Sequence, residues 1–228
     1  MQLTPEHAAV LTIDLQEENR DHPLFPVADF EAVLARTAEV LAAARAAGVP
    51  VFHLRQYKRP DGRDTPALEP RDAAGVPLYS VAGTRGAELC PEVAPLPGEP
   101  VIDKSQRNGF LGTDLEARLR ARGIDTLVVC GVWTESCVAA TVFEAVFRGF
   151  RVWLVQDACG SGTRLMHRSG LLDIANRLYG GGVSSAVVVT SALGGRPGRP
   201  WLCERPCAFL YSAETVDALY ESLAGEAS

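Results

Sequence analysis

The sequence Thr126-Leu-Val-Val-Cys-Gly-Val-Trp-Thr-Glu-Ser-Cys-Val-Ala-Ala-Thr141 contains the strongest structural signal in this chain. Its apolar, β-branched beginning predicts a buried strand that ends at Gly131. A helix is predicted to open at Thr134, and Cys137 lies in its first turn, where unpaired N–H groups and the helix dipole favour an anion. We therefore predict that the pKa of the Cys137 thiol is lowered and that this residue is a nucleophile.

Further short, apolar runs on both sides of this segment predict strands that are covered on both faces. With the run already described, the predicted strands are 8–15, 49–55, 100–104, 126–131, 151–156 and 185–190. The predicted helices are 30–44, 113–122 with a capping box at its start, 137–147 and 165–178. This alternation predicts an α/β fold, with a doubly wound, mostly parallel six-stranded sheet and helices on both faces in three α/β/α layers.

Two regions depart from the alternation of strands and helices. Residues 57–98 contain seven prolines and little periodicity, and a loop of this length is usually functional or disordered. It follows the second strand, so it either borders the ligand site or forms a solvated insertion. A second irregular region begins with glycines, prolines and arginines at residue 194 and precedes a predicted helix over 213–223. We therefore predict a main domain over 1–194 and a linker with a C-terminal helical extension over 195–228.

Composition excludes several classes of protein. The net charge of −6 argues against a nucleic-acid-binding surface, and no apolar run approaches the roughly 18 residues of a membrane span. The first residues lack the features of a signal peptide. The six cysteines show no disulfide framework, which favours reduced thiols and a cytoplasmic location. Cys203 and Cys207 form a lone C-x-x-x-C pair without further ligands, so we predict no metal there.

Three reactive side chains lie at the ends of three different predicted strands. Asp14 ends the first strand, Lys104 ends the third, and Cys137 follows the fourth after one tight turn. Ligands of open parallel sheets bind outside the carboxyl ends of the strands. Each residue alone has an ordinary explanation as a turn residue, a solvated amine or a buried thiol. Together they supply a base, a cation and a nucleophile.

Several motifs then resemble, in order, those of the isochorismatase-like or cysteine hydrolase superfamily. They are Leu-Thr-Ile-Asp-Leu-Gln at 11–16, Val-Ile-Asp-Lys at 101–104, Asn-Gly-Phe-Leu-Gly-Thr-Asp-Leu at 108–115, the segment 123–138 with its Gly-Val-x-Thr-x-x-Cys motif, and Val-Gln-Asp-Ala-Cys at 155–159. The resemblance covers roughly residues 8–190, and the ordered Asp, Lys and Cys make it specific.

The resemblance implies a role for each of these residues. Cys137 corresponds to the nucleophile, Asp14 to the base that takes its proton, and Lys104 to the supporting cation. It further implies a cis peptide between Val132 and Trp133, which places the N–H of Trp133 beside that of Cys137 in an oxyanion hole. The implied reaction is hydrolysis of a small amide or ureide through a thioester.

Candidate substrate-binding residues come partly from the resemblance and partly from their own chemistry: Phe110 matches a position whose ring commonly lines the pocket of this superfamily, whereas Trp133 departs from the small residue that many members carry. Gln16, Phe110, Trp133 and Arg55 are candidates, and Arg107 is a second arginine able to hold a carboxylate. For both arginines a solvated salt bridge is the alternative. For Trp133 the alternatives are stacking on a planar substrate and simple packing beside the site.

The histidines argue against the metal-dependent nicotinamidases of this superfamily. No Asp-x-His pair accompanies His53, which follows the pattern of a packed strand residue. His167 is predicted to be an interface or surface group. We therefore predict neither a metal nor another cofactor.

Other functions stay open at this point. The same scaffold supports isochorismatase-type hydrolysis of a vinyl ether and non-catalytic binding of a small molecule. A dinucleotide-binding enzyme is disfavoured because the first strand leads into Asp-Leu-Gln-Glu-Glu-Asn rather than G-x-G-x-x-G. The resemblance implies a homo-oligomer, either a dimer or a tetramer.

Overall fold

The structure, a computed structural model, describes residues 3–227 and is organised around a seven-stranded sheet. In chain order the strands are β1 (Ala8–Ile13), β2 (Val51–Gln56), β3 (Val101–Lys104), β4 (Thr126–Val132), β5 (Arg151–Gly160), β6 (Gly182–Ser184), β7 (Gly198–Arg199), β8 (Trp201–Leu202) and β9 (Glu226–Ala227). The sheet order is β3-β2-β1-β4-β5-β6-β8; its pairs are parallel except β6–β8, and β7 pairs with β9 in a separate ribbon.

Six α-helices surround the sheet in the part of the chain that is described. They are α1 (Phe30–Ala46), α2 (Leu115–Arg120), α3 (Ala139–Phe147), α4 (Arg164–Ala175), α5 (Ala186–Leu193) and α6 (Val216–Glu221). Buried residues of α1 and α5 form one apolar layer, and those of α2, α3, α4 and α6 form the other. This confirms the predicted doubly wound α/β fold with helices on both faces, but the sheet has seven strands rather than the predicted six, because β8 joins its edge. Over residues 3–227, no helix combines the length and apolar character that crossing a membrane requires.

The predicted strand over 185–190 is wrong, because residues 186–190 belong to α5 and Ser185 is the N-cap of that helix. The strand at this place in the sheet is the shorter β6, which ends at Ser184. A short run that is apolar on all sides does not distinguish a buried strand from a buried helix. The helix is favoured by a partner distant in sequence: the Asp157 carboxylate accepts a hydrogen bond from the Ala186 N–H at 2.7 Å, at the helix N-terminus.

The segment after residue 194 contributes to the sheet and to the core. It adds the antiparallel edge strand β8, and the predicted helix is present as the shorter α6. Phe209, Val216 and Leu223 are buried in the same layer as α4. The domain boundary at 194 stays a prediction, but this segment packs on the main domain as part of one apolar layer.

The chain changes winding direction at β1. That strand lies between β2 and β4, so the connections leave it toward opposite edges of the sheet. Such a switch point opens a crevice at the carboxyl ends of the strands. The residues that follow β1 and β4 therefore face each other across this crevice.

Candidate active site

Asp14 follows the last residue of β1 in a conformation that its neighbours hold. Its φ of 52° lies in the left-handed region, which costs free energy for a residue with a Cβ and is often found at functional sites. The Asp14 N–H donates to the Leu54 carbonyl at 3.0 Å, and the Asn19 side-chain amide donates to the Asp14 carbonyl at 2.8 Å. The carboxylate is 5% exposed at the switch point of the sheet.

Lys104 reaches the same point from the end of β3. It is 2% exposed, and its Nζ donates to Asp14 Oδ2 at 2.8 Å and to the Gln106 carbonyl at 3.2 Å. The second carboxylate oxygen, Asp14 Oδ1, is buried and has no hydrogen-bond partner among the described residues. Burial disfavours the ammonium, but Asp14 and Cys137 outweigh it and raise the pKa of Lys104. One carboxylate oxygen is thus neutralised and the other is free.

Cys137 lies on a π-helical turn, Thr134–Val138, that follows β4 and precedes α3. The turn is wider than an α-helical turn, since the Val138 N–H donates to the Trp133 carbonyl five residues back at 3.1 Å; the Ser136 N–H donates to the same carbonyl at 3.0 Å. The peptide bond between Val132 and Trp133 is cis, the geometry that the resemblance implied.

Gly131 allows this turn to approach Asp14. Its φ is 136°, and a Cβ at this position would lie 2.2 Å from the Ile13 carbonyl oxygen. Only glycine lets β1 and β4 lie this close at their carboxyl ends. The glycine that ended the predicted strand thus brings the base and the thiol to one place.

The predicted lowering of the Cys137 pKa is wrong. Cys137 is 6% exposed, and burial raises its pKa; the Asp14 carboxylate adds to this effect, while the Lys104 ammonium opposes it. A position near a helix start does not compensate for desolvation this complete. The resting residue is therefore a thiol, and it becomes a nucleophile only if a base removes its proton.

Asp14 and Cys137 line a cavity of about 300 Å³. The remaining lining residues are Gln16, Glu18, Asn19, Phe25, Gln56, Tyr79, Ser80, Arg107, Trp133, Glu135 and Ser136. Aromatic rings form much of the wall: Phe25 packs edge-on against Tyr79 at 5.2 Å and against Trp133 at 6.4 Å between centroids. A volume of this size suits a small molecule.

The insertion over 57–98 supplies part of this wall through Tyr79 and Ser80. The Ser80 N–H and hydroxyl donate to the two oxygens of Glu18 at 2.8 and 2.6 Å. Behind the wall, the buried Lys58 pairs with Glu69, and its Nζ lies 3.3 Å from the Tyr79 ring centroid. Buried charge pairing thus fixes the insertion against the cavity, so of the two alternatives for this insertion the structure favours the one in which it borders the candidate site.

Trp133 has a packing contact and a place in the cavity wall. Its indole N–H donates to Asn19 Oδ1 at 3.2 Å. A Cβ on Gly162 would lie 2.6 Å from the indole ring, so the ring packs closely on that glycine. The structure shows the packing alternative for Trp133; stacking on a planar substrate stays a prediction, and Trp133 is among the residues that line the cavity.

The other predicted substrate residues are placed differently. Gln16 lines the cavity, but its amide binds the backbone of Gln56 and Ala87, at 2.9 Å in each bond. Phe110 lies in the core, 5.8 Å from the Phe150 ring, and is not among the cavity-lining residues. The structure thus gives Gln16 a structural contact and places Phe110 outside the cavity.

Arg107, rather than the predicted Arg55, is the arginine that lines the cavity. Arg55 lies outside the cavity and pairs with Asp103 at 2.9 Å and Glu88 at 2.7 Å, which is the salt-bridge alternative. Arg107 lines the cavity at its exposed rim and forms no salt bridge within the described residues. It is the guanidinium that a ligand in the cavity can reach.

The histidines are partly as predicted. His53 is fully buried in β2 between Thr12, at 2.8 Å, and Glu99, at 3.1 Å, so it is a packed strand residue. His167 is half-buried, and its Nδ1 lies 2.7 Å from Thr134 Oγ1 on the turn that carries Cys137, so it is not a free surface group; a place at an interface stays a prediction.

One set of possible metal ligands occurs away from the cavity. Glu17, Cys90 and Glu92 place their ligand atoms within 4.8 Å of one another. Arg20 pairs with both glutamates, at 3.4 and 2.6 Å, so these side chains belong to an ion-pair network.

Several lining residues were not predicted from the sequence. Glu18 and Asn19 lie four and five residues after Asp14, and Glu135 and Ser136 lie directly before Cys137, so their positions near predicted site residues were an available signal. Phe25, Tyr79 and Ser80 lie in irregular segments, where periodicity gives no direction to a side chain.

Comparison with known proteins agrees with this geometry. A family model described as "Isochorismatase domain" matches residues 8–187. The chain is 30% identical to the ureidoacrylate amidohydrolase RutB of Methylobacterium radiotolerans, over 84% of this chain and 81% of that protein. It is 32% identical to an N-carbamoylsarcosine amidase of Arthrobacter, over 83% and 72%. A solved cysteine hydrolase from Pseudomonas syringae pv. phaseolicola superposes with a TM-score of 0.75 at 27% identity, over 86% of this chain and 96% of that one.

Proposed function

We propose that this chain, which belongs to the isochorismatase family, hydrolyses a carbon–nitrogen bond of a small amide or ureide through a thioester on Cys137. One observation carries the proposal: the buried Asp14–Lys104 pair leaves one carboxylate oxygen unpartnered in the cavity that contains the Cys137 thiol. A buried acceptor without a hydrogen-bond partner costs free energy, and a catalytic role is one reason why a protein retains such a group. The two named relatives, which cleave carbon–nitrogen bonds, support this reaction class.

The first half-reaction forms the thioester. Asp14 Oδ1 takes the thiol proton while the Cys137 sulfur attacks the carbonyl carbon of the substrate. Lys104 keeps its charge beside Asp14 Oδ2, which orients the carboxylate and compensates the negative charge that forms on sulfur. Asp14 then gives the proton to the leaving nitrogen, the C–N bond breaks, and ammonia or an amine departs.

Backbone N–H groups stabilise the oxyanion of the tetrahedral intermediate. The N–H of Trp133 donates to no carbonyl or side chain among the described residues, and it lies directly before the π-helical turn. We assign it, with the N–H of Cys137, to the oxyanion hole. Such donors act at a position where charge develops only during the reaction, so they lower the barrier rather than tighten substrate binding.

The second half-reaction releases the acid. Asp14 removes a proton from water, whose oxygen attacks the thioester carbonyl. The tetrahedral intermediate then expels the thiolate, which takes the proton back from Asp14. The base, cation and thiol end in their starting states, and one water has been consumed for one C–N bond broken.

The unpartnered Asp14 oxygen also favours this function over the alternatives. Hydrolysis of a vinyl ether does not require a thiol, and a binding protein does not require a buried base facing one. Both alternatives predict that turnover or binding survives replacement of Cys137.

The test is a panel of primary amides, N-carbamoyl amino acids and ureido acids, with ammonia release as the readout. Cys137→Ala is expected to lower kcat by at least about 10³-fold, as removal of a covalent nucleophile does. Cys207→Ser, which removes an exposed thiol, is the matched control and is expected to leave kcat unchanged. Undiminished turnover by Cys137→Ala would exclude the covalent route.

Three further expectations accompany the proposal. The resemblance implies a homodimer or homotetramer, and the cysteine pattern favours a cytoplasmic location. The reaction derived above needs no cofactor. Size-exclusion chromatography with light scattering tests the first expectation, and activity in the presence of a chelator tests the last.

A further inference from the structure

A chain of hydrogen bonds connects the turn that carries Cys137 to the C-terminal segment. Thr134 Oγ1 donates to the Gly160 carbonyl at 3.0 Å and lies 2.7 Å from His167 Nδ1 on α4. The other ring nitrogen, His167 Nε2, lies 3.2 Å from the Tyr220 hydroxyl on α6. We call these three side chains, Thr134, His167 and Tyr220, the relay.

The hydrogen-bond pattern fixes where the protons of the relay lie. The Thr134 hydroxyl has one proton, which it gives to the Gly160 carbonyl, so it must accept from His167. His167 is then protonated at Nδ1, and its unprotonated Nε2 accepts from the Tyr220 hydroxyl. Burial lowers the pKa of His167 to about 4, which agrees with a neutral ring. Every member of the relay has a consistent partner.

The relay lies behind the catalytic cavity rather than in it. Thr134 is fully buried, and none of the three side chains is among the residues that line the cavity with Cys137. His167 and Tyr220 border a separate cavity of about 190 Å³ whose lining residues include neither Asp14 nor Cys137. They cannot touch a substrate held against Cys137, so any effect on catalysis is exerted through Thr134.

Tyr220 on α6 is held in place by two residues of α4. Its ring packs edge-on against His167 with centroids 5.3 Å apart, and the Arg168 guanidinium lies 5.1 Å from the ring centroid. Arg168 also pairs with Asp217, which lies on α6 with Tyr220. Helix α6 lies outside the residues matched by the family model, so this connection belongs to the part of the chain that the family does not explain.

We propose that His167 and Tyr220 are positioning residues for the nucleophile turn, acting through the Thr134 hydroxyl. The inference rests on the proposed function. Thr134 is the residue between the Trp133 N–H and the remainder of the turn, so its hydroxyl sets where the oxyanion donors lie relative to the Cys137 sulfur. The C-terminal segment therefore completes the active site without entering it.

The experiment measures kcat and KM, per folded molecule, on an amide that the wild-type protein turns over. His167→Phe keeps a ring but removes both nitrogens, and it is expected to lower kcat about tenfold or more, because small misplacements of reacting groups have effects of this size or larger. KM is expected to change less than threefold. His167→Asn retains an N–H donor near the position of Nδ1 and is expected to restore kcat to within about threefold of wild type.

A double-mutant cycle separates positioning from general loss of stability. Thr134→Val and His167→Phe break the same relay, so the double variant is expected to have a kcat within about twofold of the worse single variant. Multiplication of the two single effects would overturn the proposal. Tyr220→Phe, which removes one hydroxyl, keeps the test available if His167→Phe does not fold; it is expected to lower kcat two- to fivefold.

The matched control is Tyr211→Phe. Tyr211 also lies in the C-terminal segment, and its hydroxyl donates to the Ser169 carbonyl on α4 at 3.4 Å, away from Thr134. Its kcat is expected to match wild type. Equal losses in Tyr211→Phe and Tyr220→Phe would show a nonspecific contribution of the segment and overturn the proposal.

A second readout keeps this inference distinct from the proposed function. The alkylation rate of Cys137 by iodoacetamide needs no substrate and is expected to change at least threefold in His167→Phe but not in Tyr211→Phe. Absence of turnover in the wild-type protein would contradict the proposed function alone. Wild-type turnover with unchanged kcat and alkylation in His167→Phe would contradict the relay alone.

Discussion

Replacing Lys104 by Met tests how the Asp14 charge is held. Methionine has a similar length and no charge, so the substitution removes the ammonium that lies 2.8 Å from Asp14 Oδ2 with little change in packing. Asp14 Oδ1 already lacks a partner among the described residues, so the variant leaves a buried carboxylate with neither of its oxygens bonded to a side chain. No positively charged side chain then compensates the negative charge of the Asp14 carboxylate.

The size of the effect follows from two competing responses. Removing one partner of a buried ion pair costs about 3–5 kcal/mol if the other stays charged. The variant avoids this cost by placing a proton on the carboxylate. An ordinary carboxyl titrates near pH 3.9, so protonating it costs about 4 kcal/mol at pH 7 and about 1.5 kcal/mol at pH 5. The variant follows the response with the smaller cost, so the expected loss in its free energy of unfolding relative to wild type is about 3–4 kcal/mol at pH 7 and about 1.5 kcal/mol at pH 5.

The proton taken up by the Asp14 carboxylate determines how the stability of the variant changes with pH. The variant takes up a proton on folding that the unfolded chain does not hold at pH 7, so its stability relative to wild type falls as pH rises from 4 to 7. Urea denaturation at pH 5 and pH 7 gives the free energy of unfolding of both proteins. Asp14→Asn combined with Lys104→Met removes both charges and is expected to recover most of the deficit at pH 7, without activity.

Two results would refute this reasoning. One is a Lys104→Met protein as stable as wild type at pH 7, which would mean that the ion pair makes no net contribution to the free energy of unfolding. The other is a deficit that is equal at pH 5 and pH 7, which would mean that it arises from packing rather than from the uncompensated Asp14 charge.

The other predictions concern the turn and its surroundings. Gly131→Ala places a Cβ 2.2 Å from the Ile13 carbonyl oxygen, so urea denaturation is expected to show a loss of at least about 3 kcal/mol; a loss below about 1 kcal/mol would contradict the close approach of β1 and β4. Because burial lowers the pKa of His167 to about 4 while an unfolded histidine titrates near 6.5, folding stability is expected to fall by about 3 kcal/mol as pH falls from 6.5 to 4. His167→Asn should lack this slope, and parallel stability curves for the two proteins would contradict it. Because burial raises the pKa of Cys137, its alkylation by iodoacetamide is expected to keep accelerating from pH 7 to pH 10 in a Cys207→Ser background; a rate that is already constant at pH 7 would show a resting thiolate.

The sequence predicted the parts of this molecule that follow from strand patterns. Strands covered on both faces leave continuous apolar runs, and parallel strands present their carboxyl ends at one edge, so Asp14 and Lys104 could be brought together without a structure. The run after residue 184 failed because the feature that makes it a helix, the Asp157 carboxylate at its N-terminus, is distant in sequence.

The direction of individual side chains was less predictable. Arg55 and Gln56 are adjacent on β2, so their side chains lie on opposite faces. Gln56 lines the cavity, whereas Arg55 pairs with acidic residues outside it. A shift of one residue in a prediction therefore exchanges a cavity residue for a surface ion pair. Tyr79 had no such pattern, because the insertion that carries it is positioned by the buried Lys58 charge rather than by periodicity.

The pKa of the thiol could not be inferred from its position at a helix start. The helix terminus and Lys104 favour the thiolate of Cys137, while burial and Asp14 disfavour it, and only the folded structure shows that burial dominates. This balance supports the proposed role of Asp14 as the base that takes the thiol proton.

The most direct test of the covalent account is the mass of the protein during turnover. The enzyme is mixed with an amide substrate, quenched in acid within the steady state, and measured intact and after proteolysis. We expect an adduct equal to the acyl or carbamoyl part of the substrate, confined to the peptide that contains Cys137 and absent from Cys137→Ala. Release of ammonia by the wild-type protein without any such adduct, together with full activity of Cys137→Ala, would contradict it.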